Sequence, residues 1–350
     1  MSNQTILHVG TEKTGTTSIQ RFLADHQKEL LECGVLYPLS LGPGPHLGLT
    51  TCCIDYKQNS SIIRAQHITS ETEHKEFANN IVRNLCNEVS ASNPRMIILS
   101  DEHINVHLYT VEMLGRLRNI IEEFSSSIKV VIYFRRQDRL LESMLSEAIK
   151  NKVFNIYDFG DPVGSIPDLR YRFNYLAILK NLQSVFFDSE ITVRAYDEGP
   201  NFDVVGDFNS LLDVGIKKRS NIRTFRENRS ISRRVFLSLA QLGTKATNLN
   251  EETVLRQWRN IINLANQNFP AEGYRLNKES AQRFLCRFED MNSTIIKSHP
   301  NMQNTLCPRY NSITYRKTDE PVKIEELCGV ILDELDLDTS LSINRILENI

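Results

Sequence analysis

Gly10 to Thr17 holds the residues in this chain best suited to chemistry. The run reads Gly-Thr-Glu-Lys-Thr-Gly-Thr-Thr and directly follows the apolar stretch Ile6–Val9. Its two glycines are spaced as in the phosphate-binding frame GxxxxGK[ST], a loop that leaves a strand and opens a helix. Glycine there permits backbone angles and close approaches that a Cβ would block. Successive N–H groups then line a concave anion site at the positive end of a helix dipole. Thr16, Thr17 and Ser18 add hydroxyl donors at the helix start. One position breaks the frame: Thr16 stands where the lysine belongs, and Lys13 sits inside the loop instead. That exchange argues against ordinary ATP or GTP use. It favours a nucleotide with one short 5′ group, gripped near its bridging oxygen. The plain alternative is a strand-to-helix turn, rich in glycine and threonine, that holds no ligand.

Lys13 to Ser18 resembles the 5′-phosphosulfate loop of the sulfotransferase family, which uses 3′-phosphoadenosine 5′-phosphosulfate (PAPS). The resemblance implies that Lys13 contacts the donor near the bridging oxygen. It also implies that the amides and hydroxyls of Thr14, Gly15, Thr16, Thr17 and Ser18 hold the 5′-phosphate. In the family an arginine at a strand end and a serine eight residues later bind the 3′-phosphate. Lys129–Phe134 reads as a buried strand, and Arg135 and Ser143 after it have that spacing. A guanidinium is a rigid fork of donors suited to phosphate oxygens. Many family members carry proline two residues after the arginine, whereas Gln137 stands here, as in a bacterial branch acting on carbohydrates. Without the first loop, the same segment reads as a solvated basic helix start.

A third strand, Arg95–Ser100, runs into Asp101, Glu102 and His103. Ligands of open α/β sheets sit at such strand ends. Sulfuryl transfer removes a proton from the acceptor, and a positioned base contributes about 10²–10⁴ in rate. The segment is similar to the Ser-Ser-Glu-His of the bacterial branch, with Asp101 departing from it. The resemblance implies Glu102, then His103, as base. The competing reading is a helix start with Asp101 as cap and acidic residues in the first turn.

Composition narrows the class. The chain has 350 residues, 41% hydrophobic and 24% charged, enough for a large core. A net charge of −2 gives no case for nucleic acid. Seven cysteines at 33, 52, 53, 86, 286, 307 and 328 form no CxxC pair. That points to reduced thiols and a cytoplasmic setting. The first residues carry no signal-peptide pattern, and no apolar run reaches the ~18 residues of a membrane span. The Golgi members' anchor being absent is expected of a bacterial-type cytoplasmic enzyme. Oligomeric state is not legible.

Several elements must position these residues. Ile19, Phe22 and Leu23 recur at helical spacing after the loop. Gly34–Pro38 reads as a short strand, and Leu39–Thr51, rich in glycine and proline, as a loop. His46 in that loop is a possible acceptor contact or a solvated side chain. Helices are predicted over 71–90, 111–124, 139–150, 168–182 and 203–212, and a strand over 190–196. Arg194 reads as structural or solvent-facing, and Trp258 as core. The last third is helical over 251–269, 277–296 and 324–335. Lys217–Arg219 is a basic patch, and Arg229 and Ser230 are either donor contacts or a helix cap.

Apolar strands separated by helices imply an α/β fold with a mainly parallel sheet flanked by helices. The resemblance specifies the P-loop-containing sulfotransferase version, with a core over 1–215 and a mostly helical part over 216–350. It further implies in-line transfer from PAPS to a carbohydrate or glycolipid hydroxyl, less readily an amine, leaving PAP and requiring no metal. Two rivals stand beside it. One is a P-loop kinase or NTPase, which needs the missing lysine and a Mg²⁺-binding aspartate. The other is a non-catalytic module that binds nucleotide or glycan.

Overall fold

The computed structural model describes residues 3–58, 61–154, 171–196, 202–212, 231–276, 278–307 and 321–348. They group into two compact units. The first draws on Met1–Arg136, Tyr171–Phe225 and Asp290–Cys307, and the second on Gln137–Arg170, Arg226–Glu289 and Pro308–Ile350. Gln137–Arg170 therefore groups with the later helices, and Asp290–Cys307 with the sheet, so this grouping follows other lines than a cut at 215/216.

The first unit is built on five strands: β1 (Gln4–His8), β2 (Val35–Leu36), β3 (Met96–Ser100), β4 (Ser127–Phe134) and β5 (Glu190–Ala195). All neighbours pair in parallel, in the order β2-β3-β1-β4-β5. Ile6, Ile98, Val131 and Tyr133 pack with Ile19, Phe22 and Leu23 of the helix Thr16–Asp25 and with Val205 and Phe208. The alternate strand residues Leu7, Ile97, Leu99, Val130 and Ile132 are equally buried. Both faces of the sheet are therefore covered, as an all-parallel sheet demands. Each such side chain contributes roughly 1.5–3 kcal/mol on burial.

The strand order locates a crevice. From β1 the chain leads to β2 on one side of the sheet, and from β4 to β5 on the other. Connections that diverge from adjacent strands leave a gap at their carboxyl ends, which is where open α/β sheets bind ligands. The loop after β1 and Arg135 after β4 flank that gap.

The helices Glu71–Ser92 and Val111–Glu122 match the expected ones, each started by a side-chain cap, Ser70 and Thr110. Of the helix predicted over 168–182, residues 168–170 lie outside the described residues and the later part is seen as Tyr175–Val185; that over 203–212 is seen as Val204–Asn209. The stretch read as loop over 39–51 ends in the helix Leu47–Cys53. Leu49 and Cys53, one turn apart and fully buried, draw it onto the core. Arg194 is structural, paired with Asp207, which also accepts from the Tyr133 hydroxyl. Lys217–Arg219, Arg229 and Ser230 lie outside the described residues.

The described residues of the second unit are mainly helical, with the helices Gln137–Lys150, Phe236–Asn248, Glu252–Arg256, Trp258–Asn268, Lys278–Cys286, Ile324–Ile331 and Leu337–Leu347. Trp258 is buried, and its indole N–H donates to the Ile149 carbonyl at 2.7 Å. Glu142 is buried beside Arg139 and Arg275, at 2.9 and 3.1 Å, and accepts the Leu276 N–H. Burial raises its pKa against the pull of the two arginines. Among the described residues no helix is long and apolar enough to cross a membrane.

Candidate functional site

The loop after β1 has the backbone that its glycines foretold. Gly10 and Gly15 lie at φ +90° and +78°. Lys13 also adopts a left-handed conformation, φ 62°, which costs a residue with a Cβ about 1–2 kcal/mol. Gly15 caps the helix Thr16–Asp25, and its carbonyl takes the N–H groups of Ser18 and Ile19. The N–H groups of Gly15, Thr16 and Thr17 donate to no carbonyl among the described residues. The orphan donors of a helix start thus lie in the loop, beside the exposed hydroxyls of Thr17 and Ser18. The Thr14 hydroxyl is turned inward onto the Thr11 carbonyl, and Thr16 is buried.

Strand pairing carries Arg135 to this loop. Thr11 N–H donates to the Tyr133 carbonyl and Tyr133 N–H to the Gly10 carbonyl, which continues the β1–β4 ladder past the strand end. The Arg135 guanidinium then reaches the loop itself, where Nη1 donates to the Lys13 carbonyl at 2.9 Å. The Tyr175 hydroxyl holds the Arg135 carbonyl at 2.7 Å, and the Tyr196 ring lies 5.5 Å beneath the guanidinium. Tyr196 and Val204 also wall the loop: a Cβ on Gly15 would meet Val204 Cγ1 at 2.8 Å and the Tyr196 ring at 3.3 Å.

Glu102 approaches from β3. A Cβ on Gly10 would lie 3.1 Å from Glu102 Cα and Cβ, so the carboxylate-bearing residue packs against the start of the loop. Gln20, buried on the helix that follows the loop, donates to Glu102 Oε2 at 2.7 Å. The same amide reaches Ser100 Oγ at 3.4 Å, and His8 Nδ1 lies 2.9 Å from that hydroxyl. A buried polar chain thus runs from β1 through β3 to Glu102. His103 is half-buried, its ring 6.0 Å from that of His107.

Two expectations change. Asp101 does accept the His103 N–H, as a cap would, but it is fully buried and also accepts from the Thr50 hydroxyl. Burial is the main cause that raises its pKa to about 6. His46 is neither a solvated loop residue nor an exposed contact. It is fully buried, with its ring 4.5 Å from that of Tyr37 and Nδ1 accepting the Ser100 N–H. Burial lowers the pKa of both His46 and His8 to about 3 and keeps both rings neutral. The Tyr37 phenol is pushed up by burial and then by the charges of Asp101 and Glu102.

The structure therefore places the 13–18 loop, Arg135 and Glu102 at the carboxyl ends of the adjacent strands β1, β4 and β3, with His103 next in the chain after Glu102. Ser143 belongs to the second unit, half-buried on the helix Gln137–Lys150, and its hydroxyl makes no hydrogen bond among the described residues. Sequence reasoning missed Gln20, Arg172 and Tyr196. Gln20 had a signal: it is a polar residue on the buried face that Ile19, Phe22 and Leu23 define. Arg172 had none, because its partner Glu12 lies 160 residues away. Among the described residues no cluster of His, Cys, Asp and Glu could hold a metal ion.

The fold and this edge define an α/β protein with a five-stranded parallel sheet and a glycine-rich loop at its crevice. The chain is similar to an uncharacterized protein of Archaeoglobus fulgidus, 25% identical over 232 residues, which is 64% of this chain and 59% of that protein. It thus spans 59% of that relative's length. No protein-family model matches the chain. No solved structure matches it.

Proposed function

We propose that this chain is a sulfotransferase of the P-loop-containing fold that moves a sulfuryl group from PAPS to a hydroxyl of a carbohydrate or glycolipid. One observation carries the reading. A loop with free amides and a displaced lysine shares the β1–β4 crevice with Arg135, while Glu102 packs on the loop's first glycine. In this reading the loop amides, Thr17 and Ser18 hold the 5′-phosphate, and Arg135 takes the 3′-phosphate. Ser143 joins Arg135 by its spacing in the sequence alone. Lys13 offsets charge growing on the bridging oxygen, a preorganised electrostatic contribution. Glu102, or His103 beside it, removes the acceptor proton as the new S–O bond forms and the S–O bond to PAP breaks. Gln20 holds the Glu102 carboxylate in place for that step.

Calorimetry with PAP and with ATP tests the donor. Wild type is expected to bind PAP. Lys13→Ala and Arg135→Ala each remove a charge-assisted contact, about 1.5–3 kcal/mol, and weaken PAP by about tenfold to a hundredfold. Magnesium-ATP bound more tightly than PAP would point to the kinase or NTPase reading instead. PAP binding with no transfer of labelled sulfate to any acceptor in a glycan and glycolipid screen would leave a binding module.

A further inference from the structure

Glu12 is out of place in a loop that receives an anion. It sets a carboxylate one residue before Lys13. Arg172 answers it, with Nη1 donating to Glu12 Oε1 at 2.6 Å. The two side chains are only 26% and 19% exposed. The Arg172 Nε is buried and has no hydrogen-bond partner among the described residues. Its guanidinium is thus committed to Glu12 through one arm while a second donor stands unused. Among the described residues, the loop thus has Lys13, Arg135 and Arg172 as cations beside the Glu12 carboxylate, with Glu102 packed at its first glycine.

We infer that Arg172 is a charge-setting residue of the donor loop: by neutralising Glu12 it lets Lys13 and Arg135 act on an anionic nucleotide. This rests on the reading that the loop holds such a ligand. A pair this withdrawn from water is screened less than a surface pair. Without Arg172, the uncompensated Glu12 charge repels a bound phosphate several ångströms away. At an effective dielectric near 20 that repulsion is worth at least about tenfold in affinity out to a separation of about 12 Å. Arg172 is a positioning residue in this scheme, since it acts through Glu12 and not through the reacting atoms.

The test is a calorimetric cycle on the full chain with PAP as probe, using wild type, Arg172→Met, Arg172→Lys, Glu12→Gln and the double variant Glu12→Gln/Arg172→Met. Circular dichroism is recorded for each variant. Arg172→Met is expected to weaken PAP by about tenfold, a loss that shrinks in high salt. Arg172→Lys retains most of the affinity. Glu12→Gln binds at least as tightly as wild type, and the double variant returns to within about threefold of it. A purely structural tether predicts the opposite for the last two, because both break the same contact. If wild type binds PAP but Arg172→Met binds it equally well, or the double variant stays as weak as Arg172→Met, the inference is wrong and the donor reading survives. If Arg172→Met does not fold, Glu12→Gln decides: a tenfold loss there overturns the inference. Wild type that fails to bind PAP removes the donor reading and this inference with it.

Discussion

Substituting Gly15 by alanine separates two physical costs at the loop. The residue sits at φ 78° and ψ 18°, a left-handed conformation that costs alanine about 1–2 kcal/mol. The new Cβ would lie 2.8 Å from Val204 Cγ1, well inside the 3.5–4.0 Å optimum for carbon contacts. Overpacking of that kind costs about 1–3 kcal/mol. The expected total is roughly 2–5 kcal/mol, from those two terms together. Gly42 supplies the control. Its φ is +88°, but nothing lies within 4 Å of a Cβ there, so Gly42→Ala bears the backbone cost alone. The assay is native-state hydrogen exchange of the slowest amides in β1 and β4, which report the unfolding of the first unit. Gly15→Ala should lower their protection by about 1–3 kcal/mol more than Gly42→Ala does. Adding Val204→Ala to Gly15→Ala should return most of that difference, so the pair is non-additive by a similar amount. Equal losses for the two glycine variants, or strict additivity of Gly15→Ala with Val204→Ala, would refute the reasoning.

Two further outcomes follow from the buried groups. Asp101 holds its proton up to about pH 6 in the fold, above its ordinary value of 3.8. The native state therefore binds more protons than the unfolded chain between those values. Asp101's own contribution is greatest below about pH 4, declines as pH rises to about 6, and is flat above. Asp101→Asn, in which the Thr50 hydroxyl can still hydrogen-bond the side chain, should abolish that decline relative to wild type in denaturation followed from pH 4 to 7. Parallel pH curves would contradict it. Gln20→Leu keeps the volume and removes the donor to Glu102. On the proposed reaction it should lower kcat by about tenfold to a hundredfold, the scale of a misplaced reacting group. PAP affinity should stay within about twofold. Equal losses in both would show that Gln20 serves the loop instead.

Local pattern alone determined a good deal of this protein. The mainly apolar runs at 6–9, 95–100 and 129–134 read as strands buried on both faces, because side chains alternate sides along a strand and apolar ones fall on both. Gly10 and Gly15 mark left-handed positions because a Cβ is penalised there, and the structure has both at positive φ. Arg135 at a strand end was legible for the same local reason. Other features needed the fold. Which strands are neighbours is set by long crossovers between consecutive strands, and no periodicity encodes that β1 lies between β3 and β4. Only that adjacency brings Arg135 Nη1 to the Lys13 carbonyl and Glu102 to Gly10. His46 reads as polar loop and is buried, because a glycine- and proline-rich turn folds back onto Tyr37 and Ser100. Glu12 and Arg172 are unremarkable charges until 160 residues of chain return one to the other. Residue types and spacings specify what each segment can do on its own. Side-chain chemistry that depends on distance between segments is decided by packing, since hydrogen bonds form only near contact distance and charge interactions weaken as separation grows.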